Sequence, residues 1–159
     1  MSNFQHKSFL KYDDYITPKY AWEDIKHLIP KNKKIWEAFY CDGKSGNYLK
    51  ELGFDVIHKE IDFFKHDLGD IIVSNPPFTM YKEILIRLKE LKKPFIMIMP
   101  SSKLNTKTLK IFKDEIQIII PKKRIHFIRD GDLNYKSNCN FDCFYYCYKM
   151  NLPKDIVWI

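Results

Sequence analysis

Glycine, acidic side chains and long apolar runs are all scarce in this chain of 159 residues. Only five glycines occur, at positions 43, 46, 53, 69 and 131, so each is expected where the backbone needs it. The longest apolar stretches, residues 95–99 and 116–120 (interrupted by Gln117), fall far short of the roughly 20 residues of a membrane-spanning helix. The opening MSNFQHKSFL lacks the apolar segment of a secretory signal, so a soluble, cytoplasmic protein is expected. Its thiols, Cys41, Cys139, Cys143 and Cys147, should then be reduced. The last three recur every fourth residue in NFDCFYYCYKM, an aromatic run in which that spacing selects one face of a strand. Buried structural thiols are the expectation, and no metal site. The CxxxCxxC pattern of radical enzymes is not met, because the last interval is one residue too long.

What is present is enough for a core. Hydrophobic residues make up 45% of the chain and aromatic residues 16%, which excludes a disordered tail. No internal repeat, low-complexity tract or linker interrupts it, and the length predicts one compact domain over residues 1–159. Lys and Arg number 27 against 20 Asp and Glu, a net charge of +7 that suits a partner carrying phosphates.

Strand and helix signals alternate. Thr17-Pro18 predicts an N-cap and a first-turn proline, followed by an apolar stripe at Ala21, Trp22, Ile25, Leu28 and Ile29 that Pro30 closes. Residues 34–40 predict a strand. A turn with Gly43 and Gly46 follows, then a short helix stopped by Gly53. Strands are predicted over 54–58, 70–74, 95–99 and 116–120, and helices over about 80–92 and 105–113. Two further extended runs are predicted between Arg124 and Tyr148, around Gly131. The pattern predicts an α/β fold with a doubly wound, mostly parallel sheet and an antiparallel C-terminal strand. Ligands of such sheets bind at the carboxyl ends of the strands, near the switch in strand order.

Two strand ends carry chemistry. The first is Glu37 to Gly46, EAFYCDGKSG, where glycines let the backbone approach a ligand at a helix N-terminus. Its DGKS imitates the end of a phosphate-binding loop, but Ala38 occupies the place of that loop's first glycine. The second is Ser74-Asn75-Pro76-Pro77-Phe78, after the strand DIIVS. A Pro-Pro turn alone would only stop the strand. With its neighbours it suits a flat heteroaromatic amine. Asn75 and the carbonyl of Pro76 would each accept one N–H, and Phe78 would offer a stacking face.

Asn-Pro-Pro-Phe after a hydrophobic strand resembles the catalytic motif of the class I, S-adenosylmethionine-dependent N6-adenine methyltransferases, in the compact form found in phages and large DNA viruses. The resemblance extends to Tyr15–Tyr20 (YITPKY), to Glu37–Gly43 and to Lys59–Phe64 (KEIDFF), and so covers most of the chain. It implies a Rossmann-like methyltransferase domain that moves a methyl group from S-adenosylmethionine to adenine N6 in nucleic acid, DNA ahead of RNA. A viral protein would act in the host-cell cytoplasm. The resemblance implies that Thr17, Phe39, Asp42 and Gly43 hold the methionine end of the cofactor and that Tyr20 and Glu37 belong to the same cofactor-binding site. Glu60 would hold the ribose, Asp62 the adenine amine, and Phe63 the adenine ring. Asn75, Pro76, Pro77 and Phe78 would hold the target, and Phe127 or Phe141 would stack on its other face.

Two positions depart from that family's pattern: Ala38 stands where proline is usual and Cys41 where glycine is usual. A side chain at position 41 intrudes where the backbone approaches the cofactor, which favours an alternative, a weakly active or inactive methyltransferase-like subunit. RNA adenine or protein glutamine methylation is a further alternative with the same planar amine. No length remains for a separate target-recognition domain. Specificity is therefore assigned to basic residues (Lys103, Lys122, Lys123, Arg124), to dimerisation or to a partner chain.

Overall fold

The computed structural model describes residues 15–41, 43–129 and 141–159. Asp42, Gly131 and Cys139 lie outside the described residues. The elements, in chain order, are β1 (Tyr15–Ile16), α1 (Lys19–Glu23), β2 (Lys34–Trp36), α2 (Lys44–Glu51), β3 (Asp55–Ile57), β4 (Ile71–Ser74), α3 (Tyr81–Leu91), β5 (Phe95–Pro100), β6 (Ile116–Ile120), β7 (Ile128–Arg129), β8 (Cys143–Tyr148) and β9 (Ile156–Trp158). Short 3-10 turns connect several of them.

Seven strands form one sheet in the order β3-β2-β4-β5-β8-β6-β9, and β1 pairs with β7 in a separate two-stranded ladder. Only β8 runs against its neighbours, since β6 and β9 are parallel to each other and antiparallel to β8. The α/β class, the mostly parallel sheet and the antiparallel late strand therefore agree with the sequence expectation.

Period-two alternation sorts the core into two layers. Ile71, Val73, Ile96, Ile98, Cys143, Tyr145 and Cys147 pack with Ala21 and Trp22 of α1 and Leu49 of α2. Ile72, Phe95, Met97, Met99, Tyr146 and Tyr148 pack on the other side with Ile84, Leu85 and Leu88 of α3. Helices thus cover both faces. The four-residue cysteine spacing does mark one strand face, as Cys143 and Cys147 show; both are buried and outside any disulfide.

The structure corrects five local expectations. The helix expected from Pro18 to Pro30 is α-helical only over Lys19–Glu23, and a separate 3-10 turn at Lys26–Leu28 completes the stripe. The strand expected over 34–40 ends at Trp36, because the Glu37 carboxylate accepts the Phe39 N–H at 2.9 Å and bends the chain off the ladder. Thr17 does not cap α1; Pro18 holds the N-cap position with extended backbone, and the Thr17 hydroxyl is used elsewhere. The helix expected over 105–113 is a set of 3-10 turns. There the Thr106 hydroxyl donates to the Lys103 carbonyl at 2.7 Å, and Lys113 breaks the helical path at φ 49. Finally, β9 was not anticipated. It adds to the sheet edge beside β6, pairing Ile118 with Ile156 and Ile120 with Trp158.

Candidate functional site

Strand order reverses at β2. The chain passes from β2 to β3 on one side, then returns to place β4 on the other. The carboxyl ends of β2 and β4 are therefore neighbours, which brings the two sequence segments singled out above together. Glu37 is buried at the end of β2. One oxygen of its carboxylate accepts both the Phe39 N–H and the hydroxyl of fully buried Ser74, the last residue of β4. This staple holds the two strand ends in contact.

Asn75 follows directly. Its Nδ2 donates to the Thr17 hydroxyl at 3.0 Å, tying the turn after β4 to the segment before α1. Its Oδ1 is buried and has no hydrogen-bond partner among the described residues. An orphaned carbonyl acceptor costs free energy and is available to a ligand N–H. Thr17, Glu37, Phe39 and Asn75 line one open cleft with Tyr40 and Cys41.

The turn from β2 to α2 forms the cleft's other wall. Gly43 has φ +78, a left-handed conformation that favours glycine, and a Cβ there would stand 2.9 Å from the Tyr40 hydroxyl oxygen. Gly46 packs so tightly on His58 that a Cβ would fall 2.3 Å from its ring. The His58 ring, just past β3, stacks on Tyr40 with centroids 5.6 Å apart and planes 18° from parallel. Burial, with the nearby Lys50 charge as a smaller contribution, pushes the His58 pKa below the ordinary histidine value. Cys41, exposed and at φ 52, adopts the left-handed conformation that glycine reaches without strain.

Pro76 and Pro77 are buried, while Phe78 is partly open. The Phe78 ring meets Phe141 edge-on at 5.1 Å and Phe127 at 6.5 Å. The two aromatic candidates separate here: Phe127 is fully buried in the core, and Phe141 keeps exposed surface. Phe127 therefore supports the cluster and offers no open face. Lys103 Nζ lies 4.8 Å above the ring of Tyr81, itself 5.8 Å from Phe78.

The acidic segment follows β3. Glu60 is exposed beyond β3. One Asp62 oxygen caps the following 3-10 turn by accepting the Phe64 N–H at 2.9 Å, leaving the other as the acceptor a ligand would use. Phe63 is fully enclosed, 4.9 Å from Phe39 and 5.6 Å from Trp36, and so packs the floor; a ring-stacking role for it is not supported by this burial. Tyr20 stands outside the cleft lining; its hydroxyl accepts the His126 N–H at 2.7 Å. Lys122, Lys123 and Arg124 follow β6 at the same carboxyl edge, with Arg124 in a two-pronged ion pair to Asp142 at 2.7 and 3.2 Å. Among the described residues there is no His, Cys, Asp and Glu cluster able to hold a metal, and no helix is long and apolar enough to cross a membrane.

Sequence reasoning passed over three residues here: Ser74, Tyr40 and His58. Ser74 had a signal, being a polar residue closing a fully apolar strand. The Tyr40 and His58 pairing had none, because it joins residues 18 apart across two strands. Compared with protein-family models and with curated proteins, the chain matches none.

Proposed function

We propose that the chain transfers a methyl group from S-adenosylmethionine to the N6 amine of adenine in nucleic acid, DNA ahead of RNA, on the class I methyltransferase form of the doubly wound sheet. The observation that carries this reading is the buried, unpartnered Oδ1 of Asn75, next to a rigid proline turn and a half-open phenylalanine.

An adenine amine is a weak nucleophile because its lone pair is delocalised into the ring. Asn75 Oδ1 would accept one N6–H and the Pro76 carbonyl the other, drawing the nitrogen toward tetrahedral geometry and localising that pair. Phe78 would stack on the base, which must leave a duplex at a cost of a few kcal/mol or arrive unpaired. Asn75 is not a base, so its work is orientation and polarisation. The bond from Nδ2 to Thr17 turns the amide so that its oxygen is the free end.

Thr17, Phe39 and Asn75 line one cleft with Tyr40, Cys41 and Ser45 of the turn before α2, which supports a ligand at these strand ends. Thr17, Phe39 and the Gly43 turn would hold the methionine half, Glu60 the ribose and the second Asp62 oxygen the adenine amine. Bound there, S-adenosylmethionine supplies an electrophilic methyl group. Cys41, strained in φ at the cleft, favours the second reading, a methyltransferase-like subunit without turnover.

The test is transfer of labelled methyl to duplex DNA, single-stranded DNA and RNA, with nucleoside analysis of the product and calorimetry of cofactor binding alongside. N6-methyladenine from wild type, none from Asn75→Ala, and unchanged cofactor affinity in that variant are expected. Label in cytosine or protein would overturn the reading. Absence of binding heat, with or without nucleic acid, would move the assignment to the inactive subunit.

A further inference from the structure

The sheet's carboxyl edge continues well past Phe78. From β4 the strand order runs through β5, β8 and β6 to β9, four spacings or roughly 19 Å. That half of the edge is basic. Residues 101–108 carry Lys103 and Lys107 and residues 121–127 carry Lys122, Lys123 and Arg124, with no acid in either stretch; Asp142, just before β8 on the same edge, pairs with Arg124, and Lys123 turns to the Tyr20 ring of α1, 5.4 Å away. Asp114, Glu115 and Asp155 stand at the opposite end, where β6 and β9 begin.

At the far end of this edge stands Trp158, the last residue of β9. Its side chain is 77% exposed, whereas Trp22 and Trp36 are fully buried. Register places Trp158 beside Ile120, on the sheet face that also holds Phe78, Tyr81 and Lys103. An indole left in water on an edge that also carries Lys103 and Lys122 has both components of a single-strand binding surface: a stacking plane that accepts any base, and cations that follow the phosphates.

Building on the function proposed above, we propose that Lys103, Lys122 and Trp158 form a track for one unpaired strand of nucleic acid. It would run from Phe78, where the target base is held, to Trp158, where a base about four or more nucleotides away stacks. Paired bases have no free face for Trp158, so the track selects single-stranded substrate over duplex.

Because the other two tryptophans are buried, Trp158 reports on the track directly through its fluorescence. Adenine-containing DNA 12-mers should quench the emission of the whole protein saturably, more weakly as salt rises, while the same sequence as duplex quenches little. With a labelled 12-mer followed by anisotropy, Trp158→Ala should weaken binding roughly tenfold or more, and Trp158→Phe should restore most of it. Position 158 is exposed, so both variants should fold, which circular dichroism checks. Binding with unchanged emission, or with equal affinity in Trp158→Ala, would overturn the track and leave the methyltransferase reading standing. Emission that shifts with protein concentration, without nucleic acid, would assign the indole to a second copy and overturn the track too. No binding of any single strand would overturn the track, while the labelled-methyl assay on duplex DNA decides the methyltransferase reading separately.

Discussion

The bond between Glu37 and Ser74 holds the site together, and its removal has a calculable consequence. Glu37→Ala would strand two donors, the Ser74 hydroxyl and the Phe39 N–H, in surroundings from which both residues are almost excluded from water. Each unsatisfied buried donor costs about 1–3 kcal/mol, so a loss of about 2–6 kcal/mol is expected. Glu37→Gln keeps a carbonyl acceptor in place and exchanges charge-assisted bonds for neutral ones, a loss of only about 1 kcal/mol. Urea unfolding of wild type, the two single variants, Ser74→Ala and Glu37→Ala/Ser74→Ala gives both the losses and the pairwise coupling. Coupling of about 1–2 kcal/mol between positions 37 and 74 is expected, because the second substitution removes a donor the first has already orphaned. Strictly additive losses, or a Gln variant as unstable as the Ala variant, would refute the staple. Cofactor affinity should fall in Glu37→Ala, since Phe39 and Asn75 lie on the two strand ends that would separate.

Gly46→Ala should cost about 1–3 kcal/mol by driving a methyl group into the His58 ring, and His58→Ala in the same chain should recover most of the loss in thermal melts. Cys41→Gly should stabilise by about 1 kcal/mol and raise the melting temperature by a few degrees, because φ 52 costs a cysteine and not a glycine. Since burial lowers the His58 pKa in the folded state, the unfolded chain takes up the proton first. Stability from this group is therefore complete above the ordinary histidine value near 6.5 and is lost as pH falls below it toward the folded pKa; His58→Gln should flatten that slope in urea titrations between pH 5 and 8. Native alkylation followed by peptide mapping should modify exposed Cys41 and spare Cys143 and Cys147. The Cys147 thiol is held protonated by burial, and labelling of it without denaturant would contradict the packing of β8.

Much of the fold was legible because its signals are local. The continuous apolar runs IIVS and FIMIMP, the stripe on residues 81–91 and the glycine after α2 each depend on neighbours a few residues away, and all were located to within a residue or two. The failures share a cause. Glu37 ends β2 by bonding its own backbone two residues on, Thr17 turns from capping a helix to holding Asn75, and β9 exists because β6 offers it an edge. Propensity does not register such competition, since the winning partner is either a side chain or distant in sequence.

The same division runs through the site. By itself the sequence determined which groups are available: an asparagine, two prolines and a phenylalanine after an apolar strand, a glycine turn, and an excess of lysine. Only the tertiary structure decided which of them can act. It buried Phe63 and Phe127, spent one Asp62 oxygen on a cap, and left Asn75 Oδ1 and the Trp158 ring unused. The physical reason is that a polar atom or an aromatic face can serve a ligand only if folding has not already given it a partner. That accounting closes across strands far apart in the chain, not along it.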